Sequence, residues 1–120
     1  MRVDGLGWLG VRTDRFEETV SLYRDLLALD PFHVDETSVR FRLGDGTELH
    51  VYGPADADHE FFGTAPVVGL VVDDVQAVRR RMEAAGIEFV TPVEHADASA
   101  WCHFRGPDGN VYEIISLGEA

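Results

Sequence analysis

Apolar and polar positions alternate along much of this chain, and twice the alternation gives way to helical spacing. Residues 7–13 (GWLGVRT) and 67–72 (VVGLVV) read as short strands. After the first, Phe16, Val20, Tyr23 and Leu27 recur at i, i+4, i+7 and i+11, one apolar stripe of a helix over 14–29. After the second, Val75, Val78, Met82 and Ala85 do the same over 74–85. Asp14 and Asp73 stand where a side-chain oxygen can cap the amides of each helix, and Gly86 can end the second. Alternation then resumes and predicts strands at 32–36, 38–43 and 47–53, and again at 88–91, 100–105 and 110–117.

The two halves are copies of one pattern. RLGDGTELHVY (42–52) aligns with RGPDGNVYEII (105–115), and WLGVRTDRF (8–16) aligns with VVGLVVDDV (67–75). Asp45-Gly46 and Asp108-Gly109 are hairpin turns by chemistry, because glycine accepts positive φ at little cost. The expected fold is α+β, with two tandem βαβββ modules at about 5–53 and 67–117. The Gly/Pro/Asp-rich segment 54–66 joins them, and its Phe61-Phe62 pair calls for cover, as an anchor within the chain or at a subunit contact ahead of a lid over one end of a cavity.

Strand geometry sorts the side chains into two faces. Val39, Phe41, Leu43, Leu49 and Val51 belong on the helix-covered face of the first module. The other face then holds Trp8, Gly10, Arg12, Ser38, Arg40, Arg42, Glu48, His50 and Tyr52. In the second module it holds Val67, Gly69, Val71, Trp101, His103, Arg105, Val111, Glu113 and Ile115. Aromatic rings mixed with arginine, histidine and carboxylate suit a concave ligand site better than an ordinary solvated sheet. Arg79–Arg81 are expected to face outward from the second helix, and His33, His59 and His95 to face solvent.

Composition narrows the partners. The formal net charge of −12 disfavours nucleic acid and anionic membrane. No apolar run is long enough to cross a bilayer. The single cysteine, Cys102, excludes an internal disulfide and fits a reducing compartment; with no export signal at the start, the expected location is cytoplasmic. Adjacent strand residues point oppositely, so Cys102 and His103 should not form a dyad, and Cys102 reads as a small core residue.

The segments WLGVRTDRFEETVSLYRDLLAL, GLVVDDVQAVRRRMEAAGIEF and FRGPDGNVYEII resemble, in that order and spacing, the vicinal oxygen chelate superfamily of glyoxalases, bleomycin-resistance proteins and ring-cleaving dioxygenases. The resemblance implies curved mixed sheets around a cavity, and a homodimer. It also implies a divalent metal held from the first and last strands of each module, places occupied here by Trp8, His50, Val67 and Glu113. Trp8 and Val67 cannot ligate, so His50 and Glu113 are two donors where a catalytic metal wants at least three. The expectation is therefore a small-molecule binder of the bleomycin-resistance type with no cofactor. Its candidate ligand-binding residues are Trp8, Arg40, Arg42, Tyr52, Trp101, His103 and Val111. The alternative is a glyoxalase-like lyase or isomerase, with Glu113 as base and His50 or His103 as acid, with or without a divalent ion.

Overall fold

The computed structural model describes residues 2–63 and 65–118. Among them are nine strands and two α-helices, an α+β architecture. The chain divides into two compact units: Trp8–Val67, and Val68 onward together with the residues up to Gly7.

In the unit Trp8–Val67, β1 (Val3–Arg12) contributes its second half, followed by α1 (Phe16–Ser21), β2 (Pro31–Val34), β3 (Ser38–Arg42) and β4 (Glu48–Tyr52). The strand order is β2-β3-β4-β1, with β4 antiparallel to β3 and parallel to β1. Val20, Val39, Phe41, Leu49 and Val51 form the core, packed by Leu9, Phe16, Tyr23 and Leu29. This is the helix-covered face expected from alternation, except that Leu43 lies past the end of β3 and is not part of the core.

Leu27 departs from the expected helical stripe. The helix continues past Ser21 as a π-helical turn over Leu22–Leu26. The wider winding shifts the register of later side chains around the axis. Leu27 is consequently 57% exposed, and Leu29 packs against the core in its place. The expected cap is also different: Asp14 does not cap, and the Arg15 amide instead donates to Thr13 Oγ1 at 3.0 Å.

The second unit contains β5 (Val67–Val72, from Val68), α2 (Val75–Ala84), β6 (Glu88–Phe89), β7 (Glu94–Ala96), β8 (Ser99–Arg105) and β9 (Val111–Ser116). β9 runs parallel to β5 and antiparallel to β8, and β6 and β7 both pair with β8. The core is Val72, Val75, Val78, Cys102, Phe104 and Ile114. β7 was not expected; its hairpin with β8 turns through Asp97 at φ +55°, where no glycine marks the turn. Asp74, one residue after the expected Asp73, caps α2 by accepting from the Ala77 amide at 3.1 Å. Gly86 ends the helix at φ +92°, as expected.

The repeat holds at the level of single hydrogen bonds. In the first Asp-Gly turn Leu43 N donates to Thr47 O and Gly46 N donates to Leu43 O; in the second Gly106 N donates to Asn110 O and Gly109 N to Gly106 O. Asp45 accepts from Thr47 N and Asp108 from Asn110 N. Gly46 and Gly109 carry φ of +89° and +85°. The strand registers repeat too: Gly10–His50–Arg40 in one unit corresponds to Gly69–Glu113–His103 in the other.

Candidate functional site

Glu48, His50 and Tyr52 lie at alternate positions of β4, so all three side chains share the face away from the core. They are joined in a hydrogen-bonded row. His50 Nε2 is 2.9 Å from Glu48 Oε1, and His50 Nδ1 is 2.8 Å from the Tyr52 hydroxyl. An ionised carboxylate only accepts, so Nε2 carries the proton and Nδ1 accepts from the Tyr52 O–H. Burial opposes a charge on His50 and, with the field of Arg40, outweighs the attraction of Glu48, so its pKa is lowered and the ring is neutral near pH 7. Glu48 is held below its usual range: burial pushes it up, but hydrogen bonds from His50 and Arg42 more than offset this.

Aromatic rings close over this row. The Trp8 indole meets His50 edge-on at 5.5 Å and Phe62 at 5.7 Å. It can lie there because Gly10, the register partner of His50, has no side chain: a Cβ built on Gly10 would sit 2.0 Å from Trp8 Cη2. Tyr52 stacks on His59 with centroids 3.8 Å apart. His59 is therefore not solvent-facing as expected. Its Nδ1 contacts both carboxylate oxygens of the buried Asp56 at 3.0 Å, and its amide donates to Asp56 Oδ2. Arg12 fastens the same loop through the carbonyls of Pro54 and Asp56. Phe62, 4% exposed, is the intra-chain anchor foreseen as one role for the linker phenylalanines.

In the second unit His103 and Glu113 face each other across β8 and β9, with Nε2 to Oε2 at 3.2 Å and each side chain 5% exposed. Thr91 Oγ1 accepts from the His103 amide at 2.8 Å and lies 3.4 Å from Nδ1. Cys102 faces the core with its thiol pKa raised, chiefly by burial, which disfavours the thiolate. Val111 is buried; Trp101 is half-buried and pairs with Glu94 and Ile115. Arg79 does not face outward: it donates to Thr91 O at 2.7 Å and lies 4.6 Å over the Phe89 ring, its stem along the sheet.

The structure thus brings Trp8, His50 and Tyr52 together, links Arg42 to Glu48, and pairs His103 with Glu113. Sequence reading gave Glu48 its face without its bond to His50. It missed the Asp56–His59 clasp, which lies in the linker, and the contacts of Thr91, which alternation places in a strand that in the structure ends at Phe89. The residues present do not fit the metal centre that the resemblance implies. Trp8 and Val67 offer no donor, both nitrogens of His50 are engaged, and no group of three His, Cys, Asp or Glu among the described residues is arranged to hold an ion.

One prediction follows from His50 alone. Below about pH 6.5 the unfolded chain takes up a proton that the folded ring resists. Stability is therefore full above that pH and is lost as pH falls through the lowered folded value. Each unit of displacement corresponds to about 1.4 kcal/mol. In thermal melts from pH 8 to pH 5, His50→Gln should flatten the midpoint's decline; an unchanged slope would show that His50 does not titrate as its burial dictates.

Among the described residues no helix is long and apolar enough to cross a membrane. The chain resembles solved structures of known fold. It aligns with the Mn(II)-bound glyoxalase from Novosphingobium aromaticivorans at a TM-score of 0.76 and 22% identity, covering 96% of this chain and 39% of that one. Methylmalonyl-CoA epimerase from Mycobacterium tuberculosis aligns at 0.73 and 18% identity, over 98% and 90%. Methylmalonyl-CoA epimerase from Streptomyces coelicolor, in complex with 2-nitronate-propionyl-CoA, aligns at 0.70 and 16%, over 98% and 100%. No curated protein matches the sequence. The profile of the Glyoxalase/Bleomycin resistance protein/Dioxygenase superfamily matches residues 5–114, and with the repeated strand-helix-strand modules this places the chain in that superfamily.

Proposed function

We propose that this protein binds a small molecule without the help of a metal. The observation that carries the reading is the state of His50. At a position where metal-dependent relatives are expected to place a ligand, its two nitrogens are committed to Tyr52 and Glu48, and an indole lies against the ring. Stripping Tyr52 from Nδ1 to admit a cation would forfeit a buried hydrogen bond, worth about 1 kcal/mol net, and would still leave too few donors. The expected result is less than about 0.2 equivalents of metal after incubation with Zn²⁺, Ni²⁺, Mn²⁺ or Fe²⁺ and desalting. Near-stoichiometric retention would overturn the reading. Binding itself is tested by a thermal-shift panel of aromatic acids, amides and acyl-CoA thioesters. A compound at about 100 times its Kd stabilises by about 2.7 kcal/mol.

A second reading is favoured by the buried pair His103–Glu113. A buried carboxylate 3.2 Å from an imidazole nitrogen can act as a base beside a carbonyl, taking the proton on its own oxygen. The structural likeness to methylmalonyl-CoA epimerases makes acyl-CoA thioesters the first probes. Exchange of the thioester α-proton into D₂O that is abolished by Glu113→Gln would support proton transfer. Equal exchange in the two proteins would remove Glu113 as the base.

A further inference from the structure

The chain carries 22 acidic residues, enough to pair every arginine, and most arginines find an acceptor. Of the three half-buried ones, Arg12 donates to the carbonyls of Pro54 and Asp56, and Arg79 to that of Thr91. Arg40 is different. Its Nε is buried, and no described residue accepts a hydrogen bond from it. A guanidinium cannot relieve burial by losing its proton. A desolvated donor with no acceptor is a cost that folding alone does not recover.

Position makes the vacancy chemically specific. Arg40 is the direct register partner of His50, so the two side chains share a face. Around His50 stand the rings of Trp8, Tyr52 and Phe32, the last at 6.4 Å and itself 43% exposed. The charges nearby nearly cancel. Arg42 is tied to Glu48 at 3.3 Å and lies 4.3 Å over the Phe32 ring, and His50 is neutral. On its other side Arg40 is the register partner of His33, whose Nε2 is 2.8 Å from Asp35 Oδ2, and no described residue accepts from the Arg40 Nε. We propose that Arg40 receives the carboxylate of an apolar or aromatic monoacid, whose body lies against the rings beside His50. This rests on the small-molecule reading above and adds to it the ligand class and the residue that selects it. Of the two arginines on this strand face, Arg40 takes the anion and Arg42 does not. A phosphate monoester suits the site poorly, since it brings close to two negative charges to one cation beside Glu48.

The test is calorimetric titration with phenylacetate, phenylacetamide and phenyl phosphate, together with octanoate and octanamide. A charge-assisted hydrogen bond should make each acid bind roughly 10- to 100-fold tighter than its amide. Arg40→Gln should reduce that ratio to about one, and Arg40→Lys, which keeps a cation there, should retain part of it. Equal binding of acid and amide, or a ratio that survives Arg40→Gln, would overturn the proposal while leaving small-molecule binding intact. If no acid binds, the proposal fails, and the amides and thioesters then decide the broader reading separately. A ligand-independent check is the melting midpoint of Arg40→Met. Removing a half-buried cation whose Nε has no described acceptor should raise it by about 1–3 °C; a fall would show that this Nε is satisfied within the fold, and the proposal would be abandoned.

Discussion

Phe41→Ala should destabilise the protein by about 3–5 kcal/mol, with a fall in the melting midpoint of roughly 12–20 °C. Phe41 is fully buried at the centre of β3, against Leu49 and the tilted ring of Tyr23 at 6.0 Å. The truncation removes a ring from a core with few members and leaves a void that the short helical segment cannot collapse to fill. The effect should reach the opposite face. Phe41 is the anchor between Arg40 and Arg42, so loosening it frees the strand that positions both guanidinium groups. Denaturant titration checks the stability term. A loss below about 1 kcal/mol would mean that β3 is not held by this side chain and that its two arginines are less fixed than described.

Gly10→Ala should cost about 1–3 kcal/mol and move the Trp8 indole off His50. The added methyl would lie 2.0 Å from the far end of the indole, inside any tolerable contact. Trp8 is 8% exposed and wedged by His50 and Phe62, so it cannot yield by a small rotation. In a Trp101→Phe background the remaining tryptophan emission should shift to the red as the ring meets water. Unmoved emission with unchanged stability would contradict the packing that makes glycine necessary here. An indole displaced by this route would also show whether Trp8 covers a ligand position or only completes the core.

The sequence carried the repeat almost intact. The Asp-Gly turns, the alternation of Val39, Phe41, Leu49 and Val51, and the stripe of Val75, Val78 and Met82 all follow from local rules, since turn chemistry and periodicity act over a few residues. The pseudo-equivalence of His50 with Glu113, and of Arg40 with His103, was legible for the same reason. Glu48, His50 and Tyr52 were placed on one face because a strand allows nothing else.

Other features depended on what surrounds each residue. Periodicity put Leu27 in the core, but a π turn, which depends on how the helix docks, rotated it into solvent. Arg40 and Arg42 alternate on one strand and Arg79 lies on a helix, and neither pattern names a partner. Only tertiary neighbours made one an ion pair, one a clasp to a carbonyl, and one a buried donor with no described acceptor. The neutral state of His50 was likewise settled by burial, Glu48 and Arg40 together. Alternation and turn residues therefore determined which side chains share a face, because those constraints are written into backbone geometry. The partner, charge and solvation of each were decided by folding, because hydrogen bonds and desolvation depend on residues far apart in the chain.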